Sequence, residues 1–583
     1  MKNRRKFILG GAAALAGAGG LIANHQSNSG LRNVVQPLSG LDKTSGTRPL
    51  HILLILTDQE RFDLPKGLSL PGHEKMKKMA TEFTQFYVNT TPCSPSRSNI
   101  YFGQHNQHTK MIANLGVYPQ PQIPSDMASL GNYLRAQGYY TAYKGKWHLS
   151  DIIGNYELQY GAYPNSQHAL EPFGFSDFNF DGDPHGSTWT GFKNDAAIAS
   201  GASDWILHKG KEIGQEQPWF MAVNFVNPHD VMYYSSSDHQ VNTRGSPYYL
   251  SPLAQPPSEV PYDEPLKFPL PMSFYKADLS TKPKAHQSYK DFCNIAYGEI
   301  SASEKAWQDY QSYYFNCIRD ADRHLLTVLN ALEKSGQADK TIVIFTADHG
   351  EMAGAHGLRQ KGPFIYQENM RVPFIVKHPA IKETKQTKSL ASAVDIIPTI
   401  LELSGVSPKK IMELYPQLAG VSFAQAIENS KNKTMRDERG ILLNYDVALY
   451  MDPEFVAKSI KNNVRGDEFM PLRSLFSFGQ LIPSTHEYAF FRGIHTGRYK
   501  FARYFKPAEH HVPKTWEKLI NHNQLELYDL ENDPHELNNL AMHPEDYKTL
   551  IMQLNLQLNA LIALEIGEDL GDELIGPRFM KTL

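Results

Sequence analysis

Cysteine and net charge are both scarce in this chain. Its 583 residues include only three cysteines, Cys93, Cys293 and Cys317, and their number and spacing exclude a disulfide framework and a cysteine-based zinc cluster. The formal net charge at pH 7 is -3, so no overall field attracts the protein to nucleic acid, and we expect no nucleic-acid partner. Hydrophobic residues make up 41% of the chain, which is enough to bury a large core divided between two structural units.

Acidic residues are also missing from the start of the chain, where the first one is Asp42. Four of the first six residues are basic, and an uncharged stretch rich in Gly, Ala and Leu follows at 7–23. This order is typical of an export signal, and the pair Arg4-Arg5 resembles the twin-arginine signal of bacteria. The stretch falls short of the ~20 strongly apolar residues that a membrane-spanning helix needs, although a signal anchor remains an alternative to cleavage. We therefore predict a twin-arginine-like export signal at 1–24, a linker at 25–48, and export to the periplasm by the twin-arginine machinery.

Short apolar runs of strand-like composition recur along the chain, and each ends at polar residues able to bind a metal ion or an anion. Helical segments lie between the runs, which is the pattern of an α/β sheet. Because open α/β sheets bind ligands at the carboxyl ends of their strands, we expect these polar residues to share one site. The runs and the residues that follow them are 51–57 with Asp58, 139–143 with Lys144-Gly145-Lys146-Trp147-His148, 220–226 with Asn227-Pro228-His229, and 341–347 with Asp348-His349.

The remaining segments carry weaker patterns. Residues 314–337 have apolar positions at helical spacing and predict a helix that crosses over the sheet. Residues 231–301 are rich in Pro, Tyr, Ser and Asp without a sustained period, and they predict a long excursion between the third and fourth of these runs, of a kind that often shapes a binding pocket. A hairpin-like stretch at 490–505 and a helical tail at 543–565 predict a smaller second domain. The predicted boundaries are 49–430 for the larger domain and 431–583 for the smaller one.

The motif with the clearest chemistry is Cys93-Ser94-Pro95-Ser96-Arg97. Its proline-containing turn places the cysteine at the start of a helix beside a fixed cation, which suits a nucleophile that acts on an anion. A single cysteine with an arginine four residues later also occurs in ordinary loops. The motif therefore needs support from elsewhere in the chain.

Support comes from a family resemblance. The motif is similar to the Cys-x-Pro-Ser-Arg signature of the formylglycine-dependent sulfatases, which belong to the alkaline phosphatase superfamily. Further motifs resemble those of the same family and occur in the family's order: Asp58-Gln59, Gly145-Lys146-Trp147-His148, Asn227-Pro228-His229, Asp348-His349-Gly350-Glu351, Lys361 before Arg371-Val372-Pro373, and Leu527-Tyr528-Asp529-Leu530 with Asp533-Pro534. The resemblance covers most of 49–541. It implies an alkaline-phosphatase-like sulfatase fold, an α/β fold with a mostly parallel central sheet flanked by helices and a smaller C-terminal α+β domain.

The resemblance also implies two cofactors. A formylglycine-generating enzyme would oxidise Cys93 to an aldehyde, 3-oxoalanine, whose hydrate attacks sulfur. A divalent metal ion would bind residue 93 together with two pairs of ligands at strand ends. Since most of these donors are hard oxygens, Ca²⁺ is the first choice. Because one donor is the imidazole of His349, Mg²⁺ and Mn²⁺ are alternatives. The implied metal ligands are Asp58, Gln59, Cys93, Asp348 and His349.

Five further side chains receive catalytic roles from the resemblance. Arg97 is implied to orient the formylglycine hydrate, and Lys146 and Lys361 to neutralise the sulfate oxygens as compact charges. His148 is implied to assist the elimination of sulfate, and His229 to donate a proton to the leaving oxygen. The order of the two histidine roles stays open.

Some positions depart from the common pattern of the family. Phe102-Gly103 stands where many members have Thr-Gly, in the segment that the cysteine-modifying enzyme reads, which leaves the extent of conversion open. Gln59 and His349 resemble choline sulfatases and phosphonate monoester hydrolases instead. The phosphonate hydrolases generally lack the lysine and the histidine present here as Lys146 and His148. The resemblance therefore favours sulfate over phosphorus.

These patterns together predict a hydrolase of sulfate monoesters that acts on a sulfated small molecule or glycan. Carbohydrate sulfate is favoured over aryl sulfate because the protein is expected to be exported and contains the long excursion. One alternative is a phosphonate monoester or phosphodiester hydrolase with the same nucleophile and metal, and another is a non-catalytic binder of sulfated glycans whose Cys93 is never converted. We assign no catalytic role to His105, His108, His510, His511, Cys293 and Cys317.

Overall fold

A computed structural model of the chain describes residues 49–115, 120–152, 168–178, 180, 182–244, 251–447, 452, 484 and 486–571. The predicted export signal and linker, at 1–48, lie outside these residues. A search of the described residues finds no helix with the length and apolar character needed to span a membrane.

Three sheets are formed by the strands of the described residues. Seven strands form a central sheet in the order β4-β5-β1-β6-β7-β2-β8, four form an antiparallel sheet in the order β10-β11-β12-β13, and β3 pairs with β9. The strands are β1 (His51–Asp58), β2 (Thr81–Phe83), β3 (Phe86–Tyr87), β4 (Tyr140–Gly145), β5 (Trp219–Pro228), β6 (Thr341–Ala347), β7 (Phe374–Lys377), β8 (Lys385–Thr387), β9 (Ala391–Ser392), β10 (Ile441–Tyr445), β11 (Phe490–His495), β12 (Tyr499–Phe505) and β13 (Gln524–Asp529).

The central sheet is mostly parallel, as predicted, because β7 alone among its seven strands runs against its neighbours. The central strand β1 is buried along its whole length. Leu54 and Leu56 face one hydrophobic core and Leu53 and Ile55 face the other, since successive side chains of a strand point to opposite faces. An uninterrupted apolar run is what a strand covered on both faces requires.

Helices cover both faces of this sheet. Those of the described residues are α1 (Pro71–Lys77), α2 (Cys93–Phe102), α3 (Asn106–Thr109), α4 (Leu130–Ala136), α5 (Thr190–Leu207), α6 (Lys209–Glu216), α7 (Asp238–Thr243), α8 (Met272–Lys276), α9 (Lys284–Tyr297), α10 (Glu304–Ser335), α11 (Gln367–Met370), α12 (Ile396–Leu403), α13 (Pro408–Leu414), α14 (Ala424–Glu428), α15 (Arg436–Arg439), α16 (Trp516–His522) and α17 (Lys548–Glu565).

The helix predicted at 314–337 is α10, which begins earlier than predicted. The Ser303 side chain caps its start by accepting a hydrogen bond from the backbone N of Ala306, and Gly336 ends it in the left-handed conformation. Its C-terminal half packs on the sheet through residues such as Leu325. Its first turns bury aromatic side chains such as Tyr310 instead of aliphatic ones, so the aliphatic period begins too late to mark the start of the helix.

The predicted excursion at 231–301 contains the helices α7, α8 and α9, and so has more regular structure than its composition indicated. In α9, the buried side chains of Ala285, Tyr289 and Phe292 follow helical spacing, but polar residues between them hide the period. Cys293 lies in this helix and is buried.

The C-terminal part consists of β10 to β13 with α16 and α17, which is the predicted α+β arrangement, and β11 with β12 forms the predicted hairpin. One face of its sheet joins the main hydrophobic core, where Tyr445 and Tyr504 belong to the same cluster as Phe86. Arg436 in α15 links the two parts through buried ion pairs, because its Nη2 lies 2.7 Å from Asp395 Oδ1 and its Nη1 contacts Glu565 of α17. The boundary at 430/431 stays a prediction.

Candidate active site

Four parallel strands bring the predicted site residues to one edge of the central sheet. β1 lies between β5 and β6, with Ile55 opposite Val223 on one side and Phe345 on the other, and β4 lies beyond β5. Because parallel strands end at the same edge, the polar residues that follow them meet there. Those residues are Asp58, Lys146, His148, His229, Asp348 and His349.

Cys93 is the first residue of α2, and its side chain is fully buried at this edge. Its Sγ lies 3.2 Å from His349 Nε2 and 3.6 Å from Asp58 Oδ1. The next residue fixes the start of the helix, since Ser94 Oγ donates to the carbonyl oxygen of His148 at 2.6 Å. The positive end of the helix dipole favours negative charge at this position, which suits a nucleophile that acts on an anion.

Four side chains form a group able to hold a metal ion. One ligand atom each from Asp58, Cys93, Asp348 and His349 lies within 4.8 Å of the others, and all four residues are buried. His349 Nδ1 lies 3.0 Å from the carbonyl oxygen of Gly350. A carbonyl oxygen can only accept, so this contact places a ring hydrogen on Nδ1, and in the neutral ring Nε2 is the nitrogen able to bind a metal ion. Two carboxylates, an imidazole and residue 93 fit a divalent cation such as Ca²⁺, Mg²⁺ or Mn²⁺.

Gln59 lies beside this group, and neighbouring side chains orient its amide. Its backbone N donates to Asp348 Oδ1 at 3.1 Å. Its side-chain oxygen accepts a hydrogen bond from Lys361, while its side-chain nitrogen donates to Glu351. Glu351 also accepts from the backbone N of Gln360 at 2.6 Å, so it decides which end of the Gln59 amide faces the lysine. Glu351 had no predicted role, and its place at the end of the Asp-His-Gly-Glu motif is the signal that could have revealed one.

The Arg97 guanidinium is fully buried and joins two strand ends. It donates to the carbonyl oxygens of Lys146 and Trp147, the latter at 2.9 Å, and to Asp348 Oδ2 at 3.2 Å. Asn224, which was not predicted, accepts from it at 2.7 Å through Oδ1. Among the described residues, none of its hydrogen bonds goes to Cys93. Its contacts hold the frame of the site, and its predicted role toward residue 93 stays a prediction.

Both predicted lysines reach the site. Lys146 forms a fully buried ion pair with Asp58. Burial alone would raise the pKa of Asp58, but the nearby cations, Lys146 foremost, hold it well below its ordinary value. Burial would likewise lower the pKa of Lys146, and the Asp58 carboxylate raises it instead, so both partners are charged. The second ammonium group, on Lys361, contacts the side-chain oxygen of Gln59 and lies 2.8 Å from Met232 Sδ.

The two predicted acid–base histidines are buried and uncharged. His148 is 5% exposed and His229 is 4% exposed, and for both the structure gives no hydrogen-bond partner to Nδ1 among the described residues. Burial lowers the pKa of each well below its ordinary value. Lys146 adds to this effect at His148, and Lys361 does so at His229. Each neutral ring offers one N–H donor and one lone pair.

The electrostatics of Cys93 differ from those of the other two cysteines. Burial and Asp58 both raise the pKa of Cys93, but Lys146, Lys361 and His349 lower it, and the net pKa lies below the ordinary value of a thiol. Burial instead raises the pKa of Cys293 to about 12. Cationic surroundings of this kind are found around reactive cysteines, whereas cysteines in apolar surroundings are inert.

Three of the histidines left without a role, His105, His510 and His511, have neighbouring side chains outside the site. His105 Nε2 lies 2.8 Å from Glu565 Oε2 in a buried contact between α17 and the larger part of the fold. His511 Nε2 lies 3.1 Å from Asn523 Nδ2, and His510 Nε2 lies 3.3 Å from Asp569 Oδ1. These contacts account for the three histidines without any catalytic function.

At the parallel strand ends of this open α/β sheet lie two carboxylates, an imidazole, a cysteine and two lysines. Such a site defines a class of protein that binds a metal ion and an anion together. Within this class the chain belongs to the sulfatase family, whose sequence profile matches residues 51–406.

Named relatives and solved structures agree with this assignment. An arylsulfatase of Chlamydomonas reinhardtii is 27% identical over 392 residues, which cover 62% of this chain and 56% of that protein, so the chain spans a little over half of that relative. An ulvan-active sulfatase of Formosa agariphila is 24% identical over 547 residues, covering 90% of this chain and 82% of the relative. A solved 2-O GAG sulfatase superposes with a TM-score of 0.61 at 19% identity, over 88% of this chain and 92% of that one. The structural likeness establishes the fold.

Proposed function

We propose that the protein is a sulfuric ester hydrolase that cleaves sulfate monoesters at the site around Cys93. The observation that carries this proposal is the position of Cys93 at the start of α2, within a group of metal-ligand atoms and beside two lysines. A sulfate ester resists hydrolysis because its oxygens repel nucleophiles and its leaving oxygen gains negative charge. The cations of the site would reduce the repulsion by the sulfate oxygens, and its imidazole groups would supply a proton to the leaving oxygen.

Two cofactors complete the site in this proposal. Formylglycine, made from Cys93 by a formylglycine-generating enzyme, would supply an aldehyde hydrate with one hydroxyl for attack on sulfur and another for release of sulfate. A divalent cation, Ca²⁺ first and Mg²⁺ or Mn²⁺ second, would supply positive charge to the nucleophile and to a sulfate oxygen. The residues that would hold this cation are Asp58, Gln59, residue 93, Asp348 and His349.

The buried cations of the chain prepare the site for an anion. Lys146 and Lys361 carry compact charges that would neutralise the sulfate oxygens, and both are held in place by oxygen acceptors, Asp58 for the first and Gln59 for the second. Arg97 keeps the turn after β4 fixed against Asp348. Because these groups are already buried and oriented, little reorganisation is needed when the sulfate enters.

The two histidines handle protons. An entering sulfate brings negative charge next to rings whose pKa burial has lowered, and this charge raises their pKa again. His229 would then give a proton to the leaving oxygen as the sulfur–oxygen bond to the alcohol breaks. His148 would accept a proton from the second hydroxyl of residue 93 when sulfate is released.

We favour a carbohydrate sulfate as the substrate and the periplasm as the place of action. The relatives include an ulvan-active sulfatase, and the solved structures with this fold include a 2-O GAG sulfatase. The residues at 1–24, with their basic start and Gly/Ala-rich stretch, support export by the twin-arginine machinery. An exported enzyme meets sulfated polymers outside the cytoplasm.

A substrate panel tests the proposal. The protein, produced together with a formylglycine-generating enzyme and supplied with Ca²⁺, is assayed against sulfated mono- and disaccharides, 4-nitrophenyl sulfate and 4-nitrophenyl phenylphosphonate. We expect kcat/KM to be highest for a sulfated sugar, to vanish in Cys93→Ala and to persist in Cys293→Ala, which alters a buried cysteine outside the site. A higher kcat/KM for the phosphonate would overturn the assignment in favour of a phosphonate hydrolase. Binding of sulfated sugars without any turnover would identify a glycan-binding protein instead.

A further inference from the structure

A short loop outside the predicted site contacts both of the acid–base histidines. It consists of residues 183–186, with the sequence Asp-Pro-His-Gly, and is called the 183–186 loop below. His148 and His229 follow different strands, and neither Nδ1 has a hydrogen-bond partner within the described part of the chain. The orientation of each ring therefore depends on packing and on the backbone that carries it.

Asp183 fixes the backbone on the His148 side. Its Oδ1 accepts a hydrogen bond from the backbone N of Trp147 at 3.1 Å, and its Oδ2 accepts one from the backbone N of His148 at 2.7 Å. His148 has a φ of +60°, a conformation that residues with side chains seldom adopt. Two hydrogen bonds to a carboxylate hold the turn in that conformation.

His185 covers the ring of His148. The two imidazoles stack with their centroids 5.3 Å apart and 25° between their planes. His185 Nδ1 lies 3.0 Å from the carbonyl oxygen of Asp183, which fixes the covering ring. His185 is exposed whereas His148 is buried, so the stacked pair has one ring at the surface and one inside.

Gly186 packs directly against the ring of His229. Its φ is +124°, and a Cβ added there would lie 2.5 Å from Cε1 and 2.7 Å from Nδ1 of His229. Real Cβ atoms do not approach a ring that closely. Any larger residue at this position would therefore have to push the His229 ring away.

We propose that the 183–186 loop is a positioning element for proton transfer, which sets the orientation of His148 through Asp183 and His185 and that of His229 through Gly186. The proposal rests on the proposed function, in which these two histidines move the protons of the reaction. The loop touches neither the metal ligands nor the lysines in the described contacts. Its contact with the turn that carries Lys146 runs through the backbone N–H groups of Trp147 and His148, whereas Gly186 contacts the His229 ring.

The role of the loop is tested by measuring how kcat/KM of Gly186→Ala depends on the leaving group of the substrate. Aryl sulfates whose phenols range from 4-nitrophenol to 4-methylphenol need increasing help from a proton donor. A displaced His229 should lower kcat/KM about 10²-fold for the poorest leaving group and less than about 3-fold for the best, since general acid catalysis contributes ~10²–10⁴-fold. Gly138→Ala is the matched control, because Gly138 also has a positive φ, +85°, but a Cβ there meets no atom within 4 Å.

The result that would overturn the proposal is an equal loss of kcat/KM for every aryl sulfate in Gly186→Ala, since a general structural defect has no reason to follow the leaving group. His185→Phe and His185→Ala form a second pair. Phenylalanine keeps a ring over His148 and should retain most of the activity, whereas alanine should lower the rate of sulfate release. This rate is measured in a single turnover, as the appearance of free sulfate after the burst of alcohol. Equal behaviour of the two variants would contradict a stacking role.

Crystal structures of the wild type and Gly186→Ala test the positioning without any substrate. We expect the His229 ring to move by more than about 1 Å while Cys93 and Asp58 stay in place, and an unmoved ring would overturn the proposal. If the wild type hydrolyses no sulfate ester, the proposed function fails. The crystal structures would still decide whether the loop places the histidines.

Discussion

The buried carboxylate of Glu351 determines which atom of the Gln59 amide faces the site. Glu351 receives the amide nitrogen of Gln59, which leaves the amide oxygen for Lys361 and for the metal group. The same carboxylate is anchored by the backbone N of Gln360 at 2.6 Å and of Ala353 at 2.9 Å. Such outer contacts orient metal ligands and tune their affinity.

Glu351→Gln should weaken metal binding. The new amide would place an N–H group against the nitrogen of Gln59, so Gln59 would have to turn its own nitrogen toward Lys361. We expect Ca²⁺ affinity, measured by titration calorimetry, to fall about 10- to 100-fold. Glu413→Gln, which alters an exposed carboxylate on α13, is the control and should bind as the wild type does. Unchanged affinity in Glu351→Gln would contradict the assignment of Gln59 to the metal group.

At the scale of elements, α2 connects the reacting position to the aromatic core. Its first residue is Cys93 and its last is Phe102, whose ring centroid lies 6.3 Å from that of Trp147 and 6.1 Å from that of Phe173. Trp147 belongs to the turn that carries Lys146 and His148. Phe102 therefore packs against the turn that carries Lys146 and His148. This packing is a structural reason for a phenylalanine at the position.

Phe102→Ala should destabilise the protein. Removing a fully buried ring leaves a cavity beneath α2, and we expect a loss of about 3–5 kcal/mol in the free energy of unfolding, measured by urea denaturation. Tyr275→Ala removes an exposed ring and should leave the unfolding midpoint close to that of the wild type. A variant at Phe102 as stable as the wild type would show that the helix does not depend on this packing.

The strand ends could be predicted from sequence because functional residues there come at the end of an apolar run, as Asp58 ends β1 and Asp348 follows β6. The motif that ends at Glu351 marks that residue as a candidate, but its contact partners and those of the 183–186 loop could not be predicted in this way. They join segments far apart in sequence, and neither a period nor a spacing marks which loop residue will meet which side chain. The length of α10 was underestimated for a related reason, since Tyr310 and its aromatic neighbours replaced the expected aliphatic pattern.

At the scale of the whole molecule, stability should depend on pH through a buried histidine that joins three elements. His73 in α1 lies 2.7 Å through Nε2 from Glu60 Oε1, just after β1, and 2.6 Å through Nδ1 from Asp322 Oδ1 in α10. Burial alone would lower the pKa of His73, but Glu60 and Asp322 raise it to about 9. The charged form is therefore the one that stabilises the fold.

The sign of the pH effect follows from this raised pKa. The stabilisation is fully present below the unfolded pKa of about 6.5 and is lost as the pH rises through about 9, a loss of about 3 kcal/mol for the shift involved. Urea denaturation between pH 6 and pH 10 should show this decline in the wild type but not in His73→Gln. His208→Gln, at an exposed histidine, should keep the wild-type dependence. Identical pH dependence in the wild type and His73→Gln would contradict the account.

The most direct test of the central claim is mass spectrometry of the peptide that contains Cys93. The protein would be produced with a formylglycine-generating enzyme, and the sulfatase activity of the same samples would be measured beside that of Cys93→Ala. The account predicts an aldehyde at residue 93 and activity in proportion to the converted fraction. Fully active protein with an unmodified thiol at Cys93 would contradict it.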